Sequence, residues 1–171
     1  MRYVALLRAI NVGGRTVKME RLRDAFEALG FRNVSTFIAS GNVLFDTTAR
    51  SAAKLEERIE GALRTELGFD VATFLRTPAE MAAVAAAEVF PEAAGAIYVA
   101  FLKHAPDATR RTGLEAMSTD TDRFAVRGRE AWWLSVTGMG RSSFSGATLE
   151  KVLGTPATAR NITTVRKLAA L

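Results

Sequence analysis

The sequence predicts an α+β protein made of two ferredoxin-like (split βαβ) halves, each an antiparallel sheet with helices packed on one face. The 171 residues are 49% hydrophobic and 24% charged, which is typical of one compact domain or of two half-domains sharing a core. Apolar periodicity indicates the order strand, helix, strand, strand, helix, strand, and that order partly repeats. We place the first half at residues 1–77 and the second, with its C-terminal helices, at 78–171.

The first half contains four strand patterns and two helix patterns. Residues 3–9 are apolar on both alternating faces, which favours a central strand. Apolar residues recur at helical spacing over 19–29 and again over 55–67, and a glycine ends each run. The glutamates of the second helix are interpreted as a solvated face. Between the helices, two short strands flank a turn at 40–42, and a fourth strand covers 71–75.

The second half repeats the pattern after an alanine-rich helix that begins at Pro78. A strand, a short helix, a hairpin and two further helices follow at 97–102, 109–117, 124–126 with 132–136, 148–153 and 162–171. No closing strand is evident between the last two helices. Trp132 and Trp133 alternate across their strand, so one indole is expected in the core, and the other is open to subunit packing or to stacking on a base.

The composition excludes much familiar chemistry. The chain has no Cys and a single His, His104, which excludes disulfides and thiolate metal sites and argues against histidine triads. We therefore expect no metal and no cofactor. No apolar run reaches the ~20 residues that cross a bilayer, so we expect a cytoplasmic protein without membrane contact. The net charge of +5 leaves open a solvated basic surface or one that binds nucleic acid or phosphate.

Two motifs converge in the predicted topology. The first and third strands of a ferredoxin-like half are antiparallel neighbours, so the loop leaving the first and the turn entering the third lie at one edge of the sheet. Backbone N–H groups and the positive end of the first helix favour a phosphate or carboxylate at such a place. The candidate ligand-binding residues there are Arg8, Asn11, Gly13, Gly14, Lys18, Ser40, Gly41 and Asn42.

The same residues also fit a purely structural role. Gly13 and Gly14 suit a tight turn with positive φ, and residues 40–42 suit a hairpin turn. The glycine pair is not a Walker A loop, because no Gly-Lys-Ser/Thr follows, and it lacks the third glycine of a dinucleotide fingerprint. Lys18 as a base or Ser40 as a nucleophile would need a site that activates them.

Further candidate ligand-binding residues lie near the C-terminus. Asn161 is expected to cap the helix that follows it. Arg160 gains nothing from the dipole of that helix, so pairing with a carboxylate, ligand binding and exposure to water all stay open. The small, polar segment 138–146, which contains Arg141, is consistent with a mobile lid or with a connecting loop.

Short motifs in this order run almost from end to end of the chain: Arg8-Ala9-Ile10-Asn11-Val12-Gly13-Gly14, Lys18-Met19, Gly30-Phe31, Ser40-Gly41-Asn42-Val43, Thr158-Ala159-Arg160-Asn161 and Thr164-Val165. Together they resemble a bacterial family known as domain of unknown function 1697. The chain departs from that family at Ala9, Phe37 and Ile162-Thr163, where the family has Gly, Tyr and Trp-Asn. The resemblance implies two ferredoxin-like subdomains and no known activity.

The favoured function is binding of an anionic ligand, namely a phosphate-bearing small molecule, a nucleotide or nucleic acid, at the loop edge of the first half. One alternative is an enzyme acting on a small phosphorylated or carboxylated substrate. Another is a non-catalytic protein-interaction module built on an exposed strand edge and the tryptophan hairpin. The sequence leaves open the identity of the ligand, whether any reaction is catalysed, and the oligomeric state.

Overall fold

The computed structural model describes residues 1–92 and 94–171. The elements are, in order, β1 (Arg2–Leu7), α1 (Met19–Ala28), β2 (Arg32–Thr36), β3 (Asn42–Asp46), α2 (Ala52–Leu67), β4 (Thr73–Arg76), α3 (Pro78–Ala86), β5 (Ala96–Leu102), α4 (Ala108–Glu115), β6 (Asp122–Arg127), β7 (Glu130–Ser135), α5 (Gly146–Leu153), β8 (Ala157–Asn161) and α6 (Ile162–Ala169). They form two four-stranded antiparallel sheets with helices, which confirms the predicted fold class. The chain divides into two compact units, Met1–Met81 and Ala82–Leu171, within α3.

The sheet of the first unit has the strand order β2-β3-β1-β4, the arrangement of a ferredoxin-like unit. The central strand β1 places Ala5 opposite Val43 on one side and Leu75 on the other. One face of this sheet packs on α1 and α2, whose buried residues include Phe26 and Ile59. The alternate residues of β1 are buried as well, which explains why this strand is apolar on both faces.

The strand β1 ends at Leu7, earlier than the apolar pattern predicted. The Arg8 N–H donates to the carbonyl of Ala72 over 2.9 Å, and this is the last sheet-like bond of the strand. Ala9 then takes a φ of +57°, a left-handed conformation that leads the chain out of the sheet. The apolar run therefore continues beyond the strand because Ile10 is also buried, in the loop.

The second unit has the strand order β6-β7-β5-β8, which matches that of the first unit position by position. Its closing strand β8, which the sequence did not reveal, pairs with β5. The buried residues of β8 are Thr158 and Arg160, and both are polar. A strand with polar residues on its buried face has no apolar alternation, so the sequence pattern carried no signal for it. The helix α6 follows β8 directly.

Glutamate side chains accept hydrogen bonds from the backbone N–H groups that point outward from the outer strand β4. The Thr73 N–H donates to Glu60 Oε1 over 2.8 Å. The Leu75 N–H donates to Glu56 Oε1, also over 2.8 Å. Glu56 is buried, so its assignment to a solvated helix face was wrong.

Side-chain oxygens also accept hydrogen bonds from backbone N–H groups of the outer strands β6 and β8. On β6, three N–H groups donate to side-chain oxygens over 3.0, 3.1 and 3.0 Å, in the pairs Asp122 with Thr119, Phe124 with Ser118 and Val126 with Glu115. On β8, the Ala157 N–H donates to Glu150 Oε1 over 2.8 Å. The strand β2 has an irregular register with β3 near Asn33, whose φ is +51°.

No helix in the described residues, 1–92 and 94–171, combines the length and the apolar character that a membrane span requires.

Candidate functional site

The loop that leaves β1 and the turn that enters β3 are bonded to each other. The Leu7 N–H donates to the carbonyl of Gly41 over 2.8 Å. The side-chain amide of Asn11 donates to the carbonyl of Ala39 over 2.8 Å. The Oδ1 atom of Asn11 accepts from the Val17 N–H over 2.6 Å, so a single side chain joins both ends of the loop to the neighbouring turn. The structure thus brings together the two motifs that the sequence analysis placed at one sheet edge.

The turn before β3 is held by the buried side chain of Asn42. Its Nδ2 donates to the carbonyl of Phe37 over 2.9 Å and to Ser40 Oγ over 3.0 Å. Gly41 has a φ of +83°, and a Cβ there would lie 3.0 Å from the Cβ of Ile10. Only glycine therefore fits at this position, both by conformation and by space.

Three non-glycine residues in these two segments adopt a left-handed backbone conformation, with φ of +57° at Ala9, +56° at Asn11 and +52° at Ile38. Asparagine tolerates this conformation, whereas a β-branched residue such as Ile38 rarely adopts it. Strain of this kind persists where the surrounding structure fixes the backbone, and it is frequent at functional sites.

Gly13 and Gly14 form the tip of the loop. Their φ angles are +61° and +81°, and the Arg15 N–H donates to the carbonyl of Val12 over 3.2 Å, which closes a tight turn. A Cβ at either glycine would meet no atom within 4 Å. The need for glycine here is therefore conformational, and the space beside the turn is open to a ligand.

The first turn of α1 has no side-chain cap. Its N-cap residue is Lys18, which is exposed and whose ammonium cannot accept a hydrogen bond. By contrast, Ser51 caps α2 by accepting from the Lys54 N–H. In the described part of the chain, no carboxylate pairs with Lys18.

The other cations near the loop have different roles. The Arg15 guanidinium lies 4.5 Å from the ring centre of Phe69, a cation–π contact that keeps its charge beside the loop. Arg21, in the first turn of α1, pairs with Glu66 over 2.9 Å, so its charge is directed to α2 and not to the loop. Arg8 is exposed at the end of β1.

Arg160 and Asn161 belong to the second unit, at the end of β8. Asn161 Oδ1 accepts from the Thr163 N–H over 2.8 Å, so its side chain caps α6 as expected. Arg160 is only 7% exposed, so it does not face water. Its Nη1 donates to Thr158 Oγ1 and to the carbonyl of Ala159, each over 2.9 Å. Burial lowers the pKa of Arg160 to about 10.

Sequence reasoning missed a second buried arginine at the matching position of the first unit. Arg76 on β4 lies opposite Val4, just as Arg160 on β8 lies opposite Val99. Its Nη1 donates to the carbonyl of Leu75 over 2.9 Å, the same bond to the preceding residue that Arg160 makes. The sequence could not reveal this pair, because the strand β8 that carries Arg160 was not predicted. The matching bonds indicate a shared structural role on the closing strands.

Both tryptophans are buried, so neither indole is exposed for stacking on a base. Trp132 is 3% exposed and Trp133 is 2% exposed, because both faces of β7 are covered. Trp133 Nε1 donates to Asp122 Oδ1 over 2.7 Å. Ser142 Oγ donates to Asp122 Oδ2 over 2.9 Å, and Phe144 packs its ring 4.4 Å from that of Phe124. These contacts anchor the segment 138–146 in its own unit.

Within residues 1–92 and 94–171, no group of three or more His, Cys, Asp or Glu side chains is arranged to hold a metal ion.

Comparison with known proteins bears on the fold. The sequence profile of the family described as Protein of unknown function (DUF1697) matches residues 1–132, a range that contains the loop and turn of the first unit and ends before Arg160. The solved structure of conserved bacterial protein SP0830 from Streptococcus pneumoniae is similar, with a TM-score of 0.77 and 23% identity over 99% of this chain and 96% of that chain. No curated protein sequence matches. At that identity, the likeness to the solved structure shows the fold alone.

Proposed function

The chain belongs to the DUF1697 family of proteins of unknown function, and we propose that it binds a phosphate-bearing ligand at the β1–α1 loop of its first unit. The ligand class comprises phosphorylated small molecules, nucleotides and nucleic acid. The site consists of the turn at Gly13 and Gly14, the N-terminus of α1 at Lys18, and the Asn11 side chain that fixes the loop.

The uncapped first turn of α1 carries this proposal. The first N–H groups of a helix have no partner inside the helix, and the aligned peptide dipoles give that end a partial positive charge. A cap side chain normally supplies an acceptor, but Lys18 instead adds a positive charge, and Glu20 contributes the negative charge of the first turn without capping it. A phosphate beside Lys18 would accept from these N–H groups and would also offset the charge of the ammonium.

The loop geometry supports the same ligand. The glycine turn is open on its outer side, so a phosphate can approach its backbone without meeting a side chain. The two bonds of Asn11 fix the loop before any ligand arrives, which lowers the entropic cost of binding. Arg15, held over Phe69, adds a second cation beside the turn.

The test is a titration of the full chain with inorganic phosphate, nucleoside phosphates and a short oligonucleotide, followed by amide NMR. We expect the largest shifts at Gly13, Gly14 and the first turn of α1. Lys18→Gln should weaken binding by about tenfold, which corresponds to about 1.4 kcal/mol for one charged contact.

Lys54→Gln is the matched control. Lys54 lies in the first turn of α2, which Ser51 caps, so its loss should leave phosphate binding unchanged. Equal losses in both variants would indicate a diffuse charge effect and would contradict the proposed site. If no probe shifts the loop amides at low salt, the proposal fails. Binding restricted to the oligonucleotide and steeply weakened by salt would identify nucleic acid as the source of the phosphate.

A further inference from the structure

The outer strand β2 of the first unit differs from the outer strands β4 and β6. On β4 and β6, side-chain oxygens accept from the backbone N–H groups that point away from the sheet. On β2, no side chain within residues 1–92 and 94–171 accepts from the N–H of Thr36 or of Ile38. Backbone groups that face solvent along an outer strand are a template for pairing with another chain.

The register with β3 shows which backbone groups of β2 point outward. Ser35 lies opposite Leu44 and Thr36 opposite Val43, and the Phe37 N–H donates to the carbonyl of Asn42 over 3.0 Å. Bonded and non-bonded pairs alternate along an antiparallel ladder, so the N–H and the carbonyl of Thr36 point away from β3.

Two further groups of the same stretch point outward with those of Thr36. The carbonyl of Val34 shares a peptide plane with the inward N–H of Ser35. The N–H of Ile38 shares a plane with the carbonyl of Phe37, which accepts from Asn42 Nδ2 over 2.9 Å. The N–H and the carbonyl of one trans peptide point in opposite directions, so Val34 presents an acceptor to solvent and Ile38 presents a donor.

This open stretch is short and is bounded at both ends. The irregular register near Asn33 precedes it, and the φ of +52° at Ile38 ends it. It therefore offers four backbone groups, namely the carbonyl of Val34, both groups of Thr36 and the N–H of Ile38. The side chain of Ile38 is 48% exposed, so the end of the stretch also presents apolar surface to solvent.

The four groups are self-complementary about Thr36. When two copies meet antiparallel with Thr36 opposite Thr36, the N–H of each Thr36 donates to the carbonyl of the other. The N–H of each Ile38 then donates to the carbonyl of Val34 in the other copy. These four bonds are related by a two-fold axis, as in an isologous contact, and the register also sets the apolar Ile38 beside the apolar Val34.

The charge of β2 is compatible with this register. Arg32 is the only charged residue of the strand. Antiparallel pairing about Thr36 directs Arg32 of each copy towards the turn of the other copy, so the two guanidinium groups lie at opposite ends of the contact. A second copy thus supplies the matching donors, acceptors and apolar side chains in the required order, which favours it over an unrelated extended peptide.

We propose that two copies of the chain associate through β2, so that their two four-stranded first sheets join edge to edge. The contact is centred on the Thr36 pair and is closed at each end by Ile38 of one copy and Val34 of the other. It uses no residue of the glycine turn or of the first turn of α1, so it does not depend on the phosphate site.

The experiment is sedimentation equilibrium of the full chain at concentrations up to about 1 mM, with amide hydrogen exchange over the same range. We expect a monomer–dimer equilibrium, with the Thr36 and Ile38 amides becoming protected as the concentration rises. Thr36→Pro removes the outward N–H, and proline is accepted on an outer strand where that group would face solvent. It should weaken association at least tenfold, whereas Thr36→Val keeps the N–H and should dimerise like the parent.

A second variant tests the apolar end of the contact. Ile38→Lys places a charge at the edge and should also weaken association. Val136→Lys, at a position of the second unit that is 53% exposed, should not. Circular dichroism checks the fold of each variant, and if Thr36→Pro does not fold, Ile38→Lys and the exchange data decide.

Three results would overturn the proposal. The first is a parent chain that stays monomeric over the whole concentration range. The second is association of a folded Thr36→Pro or Ile38→Lys variant that is as strong as that of the parent. The third is protection on association that appears at amides outside β2 and leaves the Thr36 and Ile38 amides unchanged.

Discussion

The side-chain amide of Asn11 donates to the carbonyl of Ala39 over 2.8 Å, and this bond ties the loop after β1 to the turn before β3. The other end of the same side chain accepts from the Val17 N–H. Asn11 donates in one bond and accepts in the other, so single substitutions can remove one bond or both.

Asn11→Asp should keep the acceptor for Val17 and lose the donor to Ala39. It also brings a carboxylate towards a carbonyl oxygen, so we expect a loss of about 1–2 kcal/mol of unfolding free energy. Asn11→Gly tolerates the left-handed backbone but loses both bonds. Hydrogen exchange at the Val17 amide distinguishes the variants, since the amide should stay protected with Asp and become exposed to exchange with Gly. Equal protection in both variants would contradict the assigned bond.

Ala9→Gly should stabilise the protein. Ala9 has a φ of +57°, which costs an L-residue about 1–2 kcal/mol, whereas glycine adopts it freely. The greater conformational freedom of glycine in the unfolded chain lowers the unfolding free energy by about 0.5–1 kcal/mol. The net gain of about 0.5–1 kcal/mol is measurable by urea unfolding. Ala39→Gly, at an exposed position without positive φ, should instead lose stability, and a gain there would show that the effect is not conformational.

Gly41→Ala and Gly14→Ala should differ in cost although both positions have positive φ. At Gly14 nothing lies near the added methyl, so only the conformational cost of about 1 kcal/mol applies. At Gly41 the methyl meets Ile10 and Leu7 at 3.0 and 3.1 Å, which adds overpacking, for a total of about 3 kcal/mol. Chemical unfolding of the two variants measures the difference, and equal losses would argue against the close packing of loop and turn.

Arg160 should make stability depend on pH in the alkaline range. Its pKa is lowered to about 10 in the folded state, so above that pH the folded chain releases a proton that the unfolded chain still holds. Unfolding then takes up a proton, and the contribution of this residue to the unfolding free energy rises with pH from about pH 10 towards the ordinary arginine pKa.

The measurement for Arg160 is the difference in unfolding free energy between the parent and Arg160→Met as the pH is raised from below to above pH 10. The unfolding free energy of the parent should increase relative to that of Arg160→Met as the pH rises. The exposed Arg111→Met variant should show no such change. A flat difference for Arg160→Met would contradict the effect of burial on its pKa.

The fold was predictable because its central elements carry apolar periodicity. Residues 3–9 indicated β1, and the helical spacing of 19–29 indicated α1. The strand β8 was missed because Thr158 and Arg160 occupy its buried face. The environment of the second indole was left open by the alternation of Trp132 and Trp133, and the structure buries both because both faces of β7 are covered.

The candidate loop was found from topology and glycine spacing, but the side-chain hydrogen bonds that fix it were not predicted. The sequence indicated which segments meet, because strand order determines neighbours. It did not show that Asn11 and Asn42 direct their amides to backbone carbonyls, because side-chain bonds across a turn depend on backbone angles such as that of Ala9.

The carboxylates and hydroxyls on the outer strands also govern how copies of the chain behave at high concentration. An extended segment from another molecule would have to displace Glu60 and Glu56 before it could bond to β4, and a row of side-chain acceptors before it could bond to β6. Pairing of a neighbouring chain with β4 or β6 therefore requires these existing bonds to break first.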